Sequence, residues 1–216
     1  MKKSLRILLA DDHQMFRDAL RSLLEKSPHI KVVGETGDGL EVVKLAQATT
    51  PDIICMDIGM PGMNGIEATR RLSTLCPETK IIAVSAFAEQ RYAMDMFDAG
   101  ATAYVTKSGA GEELLRAIEA VQNGQKYVCP RIASLIAGTW SSQRDIKLSP
   151  PLQLGARERQ VLQLVAEGHT SQQIATQLFI AHSTVEVHRR NIMRKLDLHN
   201  VAELTRYAIN HGFAPN

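Results

Sequence analysis

What most constrains this chain is an alternation confined to its first half, in which short apolar runs are separated by longer segments with helical spacing. The runs are LRILLA (5–10), IKVVGE (30–35), DIICMD (52–57), KIIAVS (80–85) and TAYVTK (102–107). Between them apolar residues recur three or four apart, as in Phe16, Leu20, Leu23 and Leu24, or Leu114, Leu115, Ile118 and Val121. Strands that are apolar throughout are buried on both faces. Parallel neighbours need a crossover, and a right-handed crossover lays a helix on the sheet. The pattern predicts an α/β, doubly wound, five-stranded parallel sheet over residues 1–122.

Near residue 123 the alternation stops. NGQKYVCP supplies turn residues, no sixth strand is expected, and 123–153 reads as a linker with a short helical candidate, Arg131 to Ala137. The polar stretch GTWSSQRDIKLSPP follows, and its paired prolines, Pro150 and Pro151, cannot continue a helix. From 154 to 216 the pattern is helical only, in four pieces at 156–167, 171–178, 182–195 and 200–211, which predicts a small all-α domain. A chain of 216 residues exceeds the ~100–150 at which single domains are commonest, so two cores are expected.

Composition mainly excludes. Hydrophobic residues are 44% and charged residues 22%, far from disordered compositions. A net charge of +2 gives no global field that would select a partner. Cys55, Cys76 and Cys129 lack a metal-site spacing, and their odd number argues against a secreted disulfide framework, so a reducing cytoplasm is expected. The apolar run in MKKSLRILLADDH is too short for a signal-peptide core and breaks at Asp11 and Asp12. Nothing approaches the roughly 20 apolar residues needed to cross a bilayer, and no membrane role is expected.

The strand ends carry the chemistry. In a doubly wound sheet the loops after the carboxyl ends of the strands converge on one crevice, so residues ending different strands can form one site. Here those ends are Asp11 and Asp12, Asp57, Ser85 and Lys107. Carboxylates brought together repel unless a cation neutralises them. Hard oxygen ligands with open positions suit Mg²⁺, which accepts phosphate oxygens. Asp57 would then act as nucleophile on phosphorus, with the Lys107 ammonium pairing the phosphoryl oxygens. Any one of these acids could simply cap the next helix. The whole set, each ending a strand, favours a site.

The segments ILLADDH, IICMDIGMPGMNG, IIAVSA and GATAYVTK resemble, in order and spacing, the signature segments of response-regulator receivers, whose fold is flavodoxin-like. The resemblance implies that Asp57 is the phosphoacceptor and that Asp11 and Asp12, with Asp57 and the Gly59 backbone carbonyl, hold Mg²⁺. It also makes Ser85 the switch hydroxyl, Tyr104 the switch aromatic and Lys107 the phosphate-pairing lysine. For Tyr104, a lone aromatic in a strand, core packing is the alternative.

In the second half, Val161, Leu162, Val165, Ile174, Ala175, Leu178, Val185, Ile192 and Leu196 would share a core. The piece 182–195 carries Arg189, Arg190, Arg194 and Lys195 against Glu186, a local charge of +3. A basic helix of this kind fits the major groove, although alone it could be merely a solvated face. The stretch resembles the LuxR-type helix-turn-helix, and the whole chain resembles the NarL/FixJ class of response regulators. That resemblance makes 171–178 the supporting helix, 182–195 the recognition helix and 200–211 a candidate dimerisation helix. The implied DNA contacts are Thr170, Ser171, Gln172, Ser183, Thr184, Glu186, Val187, His188, Arg189, Arg190, Arg194 and Lys195.

There are departures from the family pattern. Gly155 and Ala156 stand where relatives often have a threonine or serine cap and proline. Ala181 stands where serine usually caps the recognition helix, leaving Ser183 or His182 to substitute. Gln172, Gln173 and Glu186 replace Lys or Arg, Glu, and Lys respectively. Glu186 can accept from cytosine but repels phosphate.

The expected function is a phosphorylation-regulated transcription factor rather than a turnover enzyme. Its expected partners are double-stranded promoter DNA, a cognate sensor histidine kinase and a second copy of the chain, with RNA polymerase a further candidate. Two rival functions use the same residues. A haloacid-dehalogenase-type phosphatase would need an acid two residues after the nucleophile, where this chain has Gly59. A receiver serving only as a protein-interaction module, never phosphorylated, is disfavoured by the intact acid set and is excluded only by chemistry.

Overall fold

The computed structural model describes residues 4–141, 154–210 and 213. The paired prolines and the end of the last helical piece lie outside them. The chain divides into two compact units, Met1–Gln143 and Arg144–Asn216.

In the first unit the elements alternate as expected. They are β1 (Leu5–Ala10), α1 (Gln14–Leu24), β2 (Ile30–Thr36), α2 (Gly39–Thr49), β3 (Ile53–Met56), α3 (Gly65–Leu75), β4 (Lys80–Ser85), α4 (Gln90–Ala99), β5 (Ala103–Thr106), α5 (Ala110–Gln122), β6 (Tyr127–Val128) and α6 (Pro130–Ser141). The sheet runs β2-β1-β3-β4-β5-β6, and every pair is parallel. Alternate strand residues face opposite layers. Leu8, Ala10, Ile54 and Met56 join the core under α2, α3, α4 and α6, whereas Ile7, Leu9, Ile53 and Cys55 join the core under α1 and α5. Asp38 and Asn64 accept the first backbone N–H groups of α2 and α3, so these two polar residues start helices rather than serve the crevice.

The expected five strands become six. Gly124, in the left-handed region at φ 74°, turns the chain after α5, and Tyr127–Val128 then pairs with β5. The Cys129 N–H donates to the Tyr104 carbonyl at 3.0 Å, and Cys129 and Ile132 are buried in the sheet core. Residues 124–141, within the expected linker 123–153, therefore complete the first unit, and the division between the units falls inside that linker, after Gln143. The exposed edge of β5 is covered in this way, which an apolar sheet edge requires.

The second unit is α7 (Ala156–Ala166), α8 (Ser171–Leu178), α9 (His182–Leu196) and α10 (Val201–Asn210). Its core holds Val161, Leu162, Val165, Ile174, Ala175, Leu178, Val185 and Ile192 as expected, with Leu196 packed at the margin. Thr170 accepts the Gln173 N–H while the Gln173 side chain accepts the Thr170 N–H, so glutamine completes the capping box. Helix α9 starts at Ala181 with no side-chain cap, and neither His182 nor Ser183 replaces the missing serine.

Candidate functional site

The parallel sheet brings the carboxyl ends of β1, β3, β4 and β5 to one edge. Asp57 follows β3 and its N–H donates to the Ala10 carbonyl at 2.7 Å, which ties the two acidic strand ends together. The Gly65 backbone packs so closely behind that an added Cβ would lie 1.9 Å from the Asp57 carbonyl oxygen, so only glycine allows α3 to begin there. An added Cβ at Gly59 would lie 4.0 Å from Asp57 Oδ2, so the backbone at Gly59 borders the pocket.

Lys107 holds this pocket. Its Nζ lies 2.7 Å from Asp11 Oδ2 and 3.0 Å from Asp57 Oδ2, and both acids are almost wholly buried, at 3% and 4% exposure. Burial, then the charge of Asp11, raises the Asp57 pKa from 3.8 to about 6 against the lowering influence of Lys107. Burial alone would lower the Lys107 pKa, but Asp57 and Asp11 outweigh it and raise it. The Ile58 N–H donates to Asp57 Oδ1 at 2.8 Å, which fixes the carboxylate's rotation.

Ligand atoms of Asp11, Asp12, His13 and Asp57 lie within 4.8 Å of one another. His13 was absent from the sequence-derived set, although it follows the acid pair directly. Its Nδ1 is 2.6 Å from Asp12 Oδ1 and its backbone N–H donates to Asp11 Oδ1 at 2.9 Å. Two more residues of α1 were missed: Arg17 donates to the Asp11 carbonyl at 2.5 Å, and the Phe16 ring lies 4.9 Å from Lys107 Nζ. Both lie within one helical turn of the DDH run, a spacing that could have flagged them.

Ser85 and Tyr104 are fully buried. The Ser85 hydroxyl accepts the Phe87 N–H at 3.1 Å, and the Tyr104 hydroxyl donates to the Phe87 carbonyl at 2.7 Å. Burial raises the Tyr104 pKa, so the phenol stays protonated and able to donate. The Phe87 backbone is therefore held by two hydroxyl groups, one at its N–H and one at its carbonyl.

Of the sequence-derived DNA set, Thr170, Gln172, Ser183, Thr184, Val187, Arg190, Arg194 and Lys195 are exposed, while Glu186, His188 and Arg189 are half-buried and Ser171 is buried. Two cations are engaged within the unit. Arg189 Nη1 donates to Ser171 Oγ at 2.6 Å and lies 3.5 Å from Glu186 Oε1, joining the start of α8 to α9. Lys195 Nζ lies 2.7 Å from Glu158 Oε2, and the same glutamate oxygen accepts the Gly155 N–H at the uncapped start of α7. Burial would raise the Glu158 pKa, but Lys195 and that N–H lower it.

Residues 7–119 match the response regulator receiver domain, and residues 152–208 match the bacterial regulatory proteins of the luxR family. The transcriptional regulatory protein LiaR of Bacillus subtilis (strain 168) is 38% identical over 207 residues, 94% of this chain and 96% of LiaR. The response regulator UvrY of Escherichia coli (strain K12) is 35% identical over 206 residues, 95% of this chain and 94% of UvrY. Among solved structures, the RcsB–DNA complex is 25% identical, with a TM-score of 0.62 over 97% of this chain and 99% of RcsB.

Proposed function

This chain belongs to the response regulators that join a receiver domain to a LuxR-type DNA-binding domain and is a transcription factor, and from that premise we propose that phosphoryl transfer to Asp57 controls its binding to duplex DNA. The single observation that carries the proposal is Lys107 Nζ bridging Asp11 and Asp57 in a buried acidic pocket.

The donor atoms suit a divalent cation. Three carboxylates crowd within 4.8 Å, and hard oxygen donors are what Mg²⁺ selects. Asp11, Asp12 and Asp57, with the Gly59 backbone carbonyl, would hold it, and when bound it supplies positive charge to the phosphoryl oxygens. An Asp57 carboxylate oxygen attacks the phosphorus of a phosphohistidine on a sensor kinase. The N–P bond breaks with its electron pair returning to the imidazole, and an O–P bond forms as an acyl phosphate. Lys107, already beside Asp57 Oδ2, neutralises the incoming oxygens without reorganisation.

The new anion then draws the Ser85 hydroxyl as a donor, while the Ser85 oxygen at present accepts from the Phe87 N–H. Turning that hydroxyl toward phosphate takes the acceptor away from the Phe87 N–H. The Phe87 carbonyl is held by the Tyr104 hydroxyl, so the shift reaches the core under α4. A second copy of the chain is the expected partner of the altered receiver, giving two α9 helices for half-sites about one helical turn apart. Promoter DNA, contacted through α8 and α9, and RNA polymerase complete the set of partners.

The test is labelling with acetyl phosphate and Mg²⁺. The expected product is an acid-stable, base-labile phosphoprotein that Asp57→Ala abolishes. Undiminished labelling of that variant would remove Asp57 from the mechanism.

A further inference from the structure

The helix α9 carries a charge that works against its proposed ligand. Glu186 lies among Arg189, Arg190, Arg194 and Lys195, on the helix read here as facing DNA phosphates. A carboxylate there lowers affinity for any duplex, because it repels the backbone whatever the sequence. The structure does not hide it. The Glu186 side chain is 43% exposed, beside the exposed Ser183, Val187 and Arg190.

Its nearest ion pair is within the same helix. Arg189 Nη1 approaches Glu186 Oε1 to 3.5 Å while donating to Ser171 Oγ at 2.6 Å. Ser171 is buried at the first position of α8, so the clamp is anchored in the packed seam between the two helices. A carboxylate offers about four acceptor positions and Arg189 approaches one oxygen, while the side chain remains 43% exposed. The Ser171 hydroxyl beside it, ahead of the opposing effect of burial, lowers the Glu186 pKa and keeps the group ionised and acceptor-only at neutral pH.

We propose that Glu186 is a base-specificity residue that accepts a hydrogen bond from the exocyclic amino group of a cytosine in the operator half-site. The inference rests on the reading of α9 as the DNA-binding helix. It follows from what a fixed acceptor meets in the major groove. Guanine presents only acceptors, and thymine presents an acceptor and a methyl group. Adenine places its amino donor next to the N7 acceptor, which repels a carboxylate, whereas cytosine presents its amino donor alone. The repulsion that weakens binding everywhere is offset only where a cytosine lies opposite, so the residue trades overall affinity for discrimination.

The test is selection from a randomised duplex pool by the full chain in acetyl phosphate and Mg²⁺, comparing wild type, E186Q and E186A. Wild type should enrich one half-site position at which cytosine is preferred about tenfold or more over other bases. E186Q, whose amide both accepts and donates, should shift that position to adenine. E186A should lose preference there and keep it elsewhere. If both variants enrich the same base at every position and lose only affinity, Glu186 merely orients Arg189 and the proposal fails. If wild type enriches no sequence at all, the reading of α9 as a DNA reader fails, and this inference with it.

Discussion

The acidic pocket and helix α9 handle charge in opposite ways. In the pocket, Asp11 and Asp57 are 3% and 4% exposed, and the Lys107 ammonium answers both. On α9, Arg190 and Arg194 lie in water, with only Asn191 near the Arg194 guanidinium in the contacts described. A buried charge needs a partner, because desolvation is not repaid otherwise, and that partner is then in place for the reaction. An exposed charge costs little and acts through counterion release. The difference also divides α9 itself. Arg189 and Lys195 are engaged with Ser171, Glu186 and Glu158, so the local charge counted along the sequence overstates what is free to meet phosphate.

The contrast can be broken most sharply at Lys107. Lys107→Ala should slow labelling by acetyl phosphate by about 10²- to 10³-fold at saturating Mg²⁺, the usual effect of removing one preorganised charge donor. A rate within a factor of two of wild type would mean that the bridging ammonium is only structural.

A smaller effect concerns Asp57 and pH. Its folded pKa of about 6 lies above the ordinary 3.8, so the folded chain retains a proton that the unfolded chain loses. Stability from this group is therefore present below about pH 4 and lost as pH rises through about 6. In EDTA, Asp57→Asn should be as stable as wild type at pH 4. It should become more stable by up to about 3 kcal/mol at pH 7.5, as read by urea unfolding. A difference that does not grow with pH would show that the carboxylate is not strained by its burial.

The smallest effect separates two cations of α9. Arg190→Ala should reduce the slope of log affinity against log salt by about 1. Lys195→Ala should leave that slope unchanged and destabilise the second unit by about 1 kcal/mol, because Glu158 loses its partner. Equal slopes for both variants would erase the distinction drawn between free and engaged charges.

The pocket was largely legible beforehand, because each of its acids ends a buried apolar run and a parallel sheet must gather such ends at one edge. His13, at the N-cap of α1, and Phe16 and Arg17, one turn into it, escaped notice because the reading stopped at the strand end, although their spacing from the acid pair places them beside it. The sixth strand was missed for a different reason. Tyr127–Val128 is two residues long and too short to show periodicity.

Local order in the chain was enough for the number and type of helices in the second unit, for five of the strands, and for which acids, hydroxyl and lysine could share a crevice, since periodicity and strand ends are properties of neighbours. Other features came only with folding. Cys129 and Ile132 are core because the edge of β5 must be covered, and Lys195 is engaged because Glu158 of α7, 37 residues earlier, lies against it. Glu186 has Arg189 beside it, and buried Ser171 holds that guanidinium. Each depends on a group distant in sequence, and burial and pairing are decided by who is brought alongside.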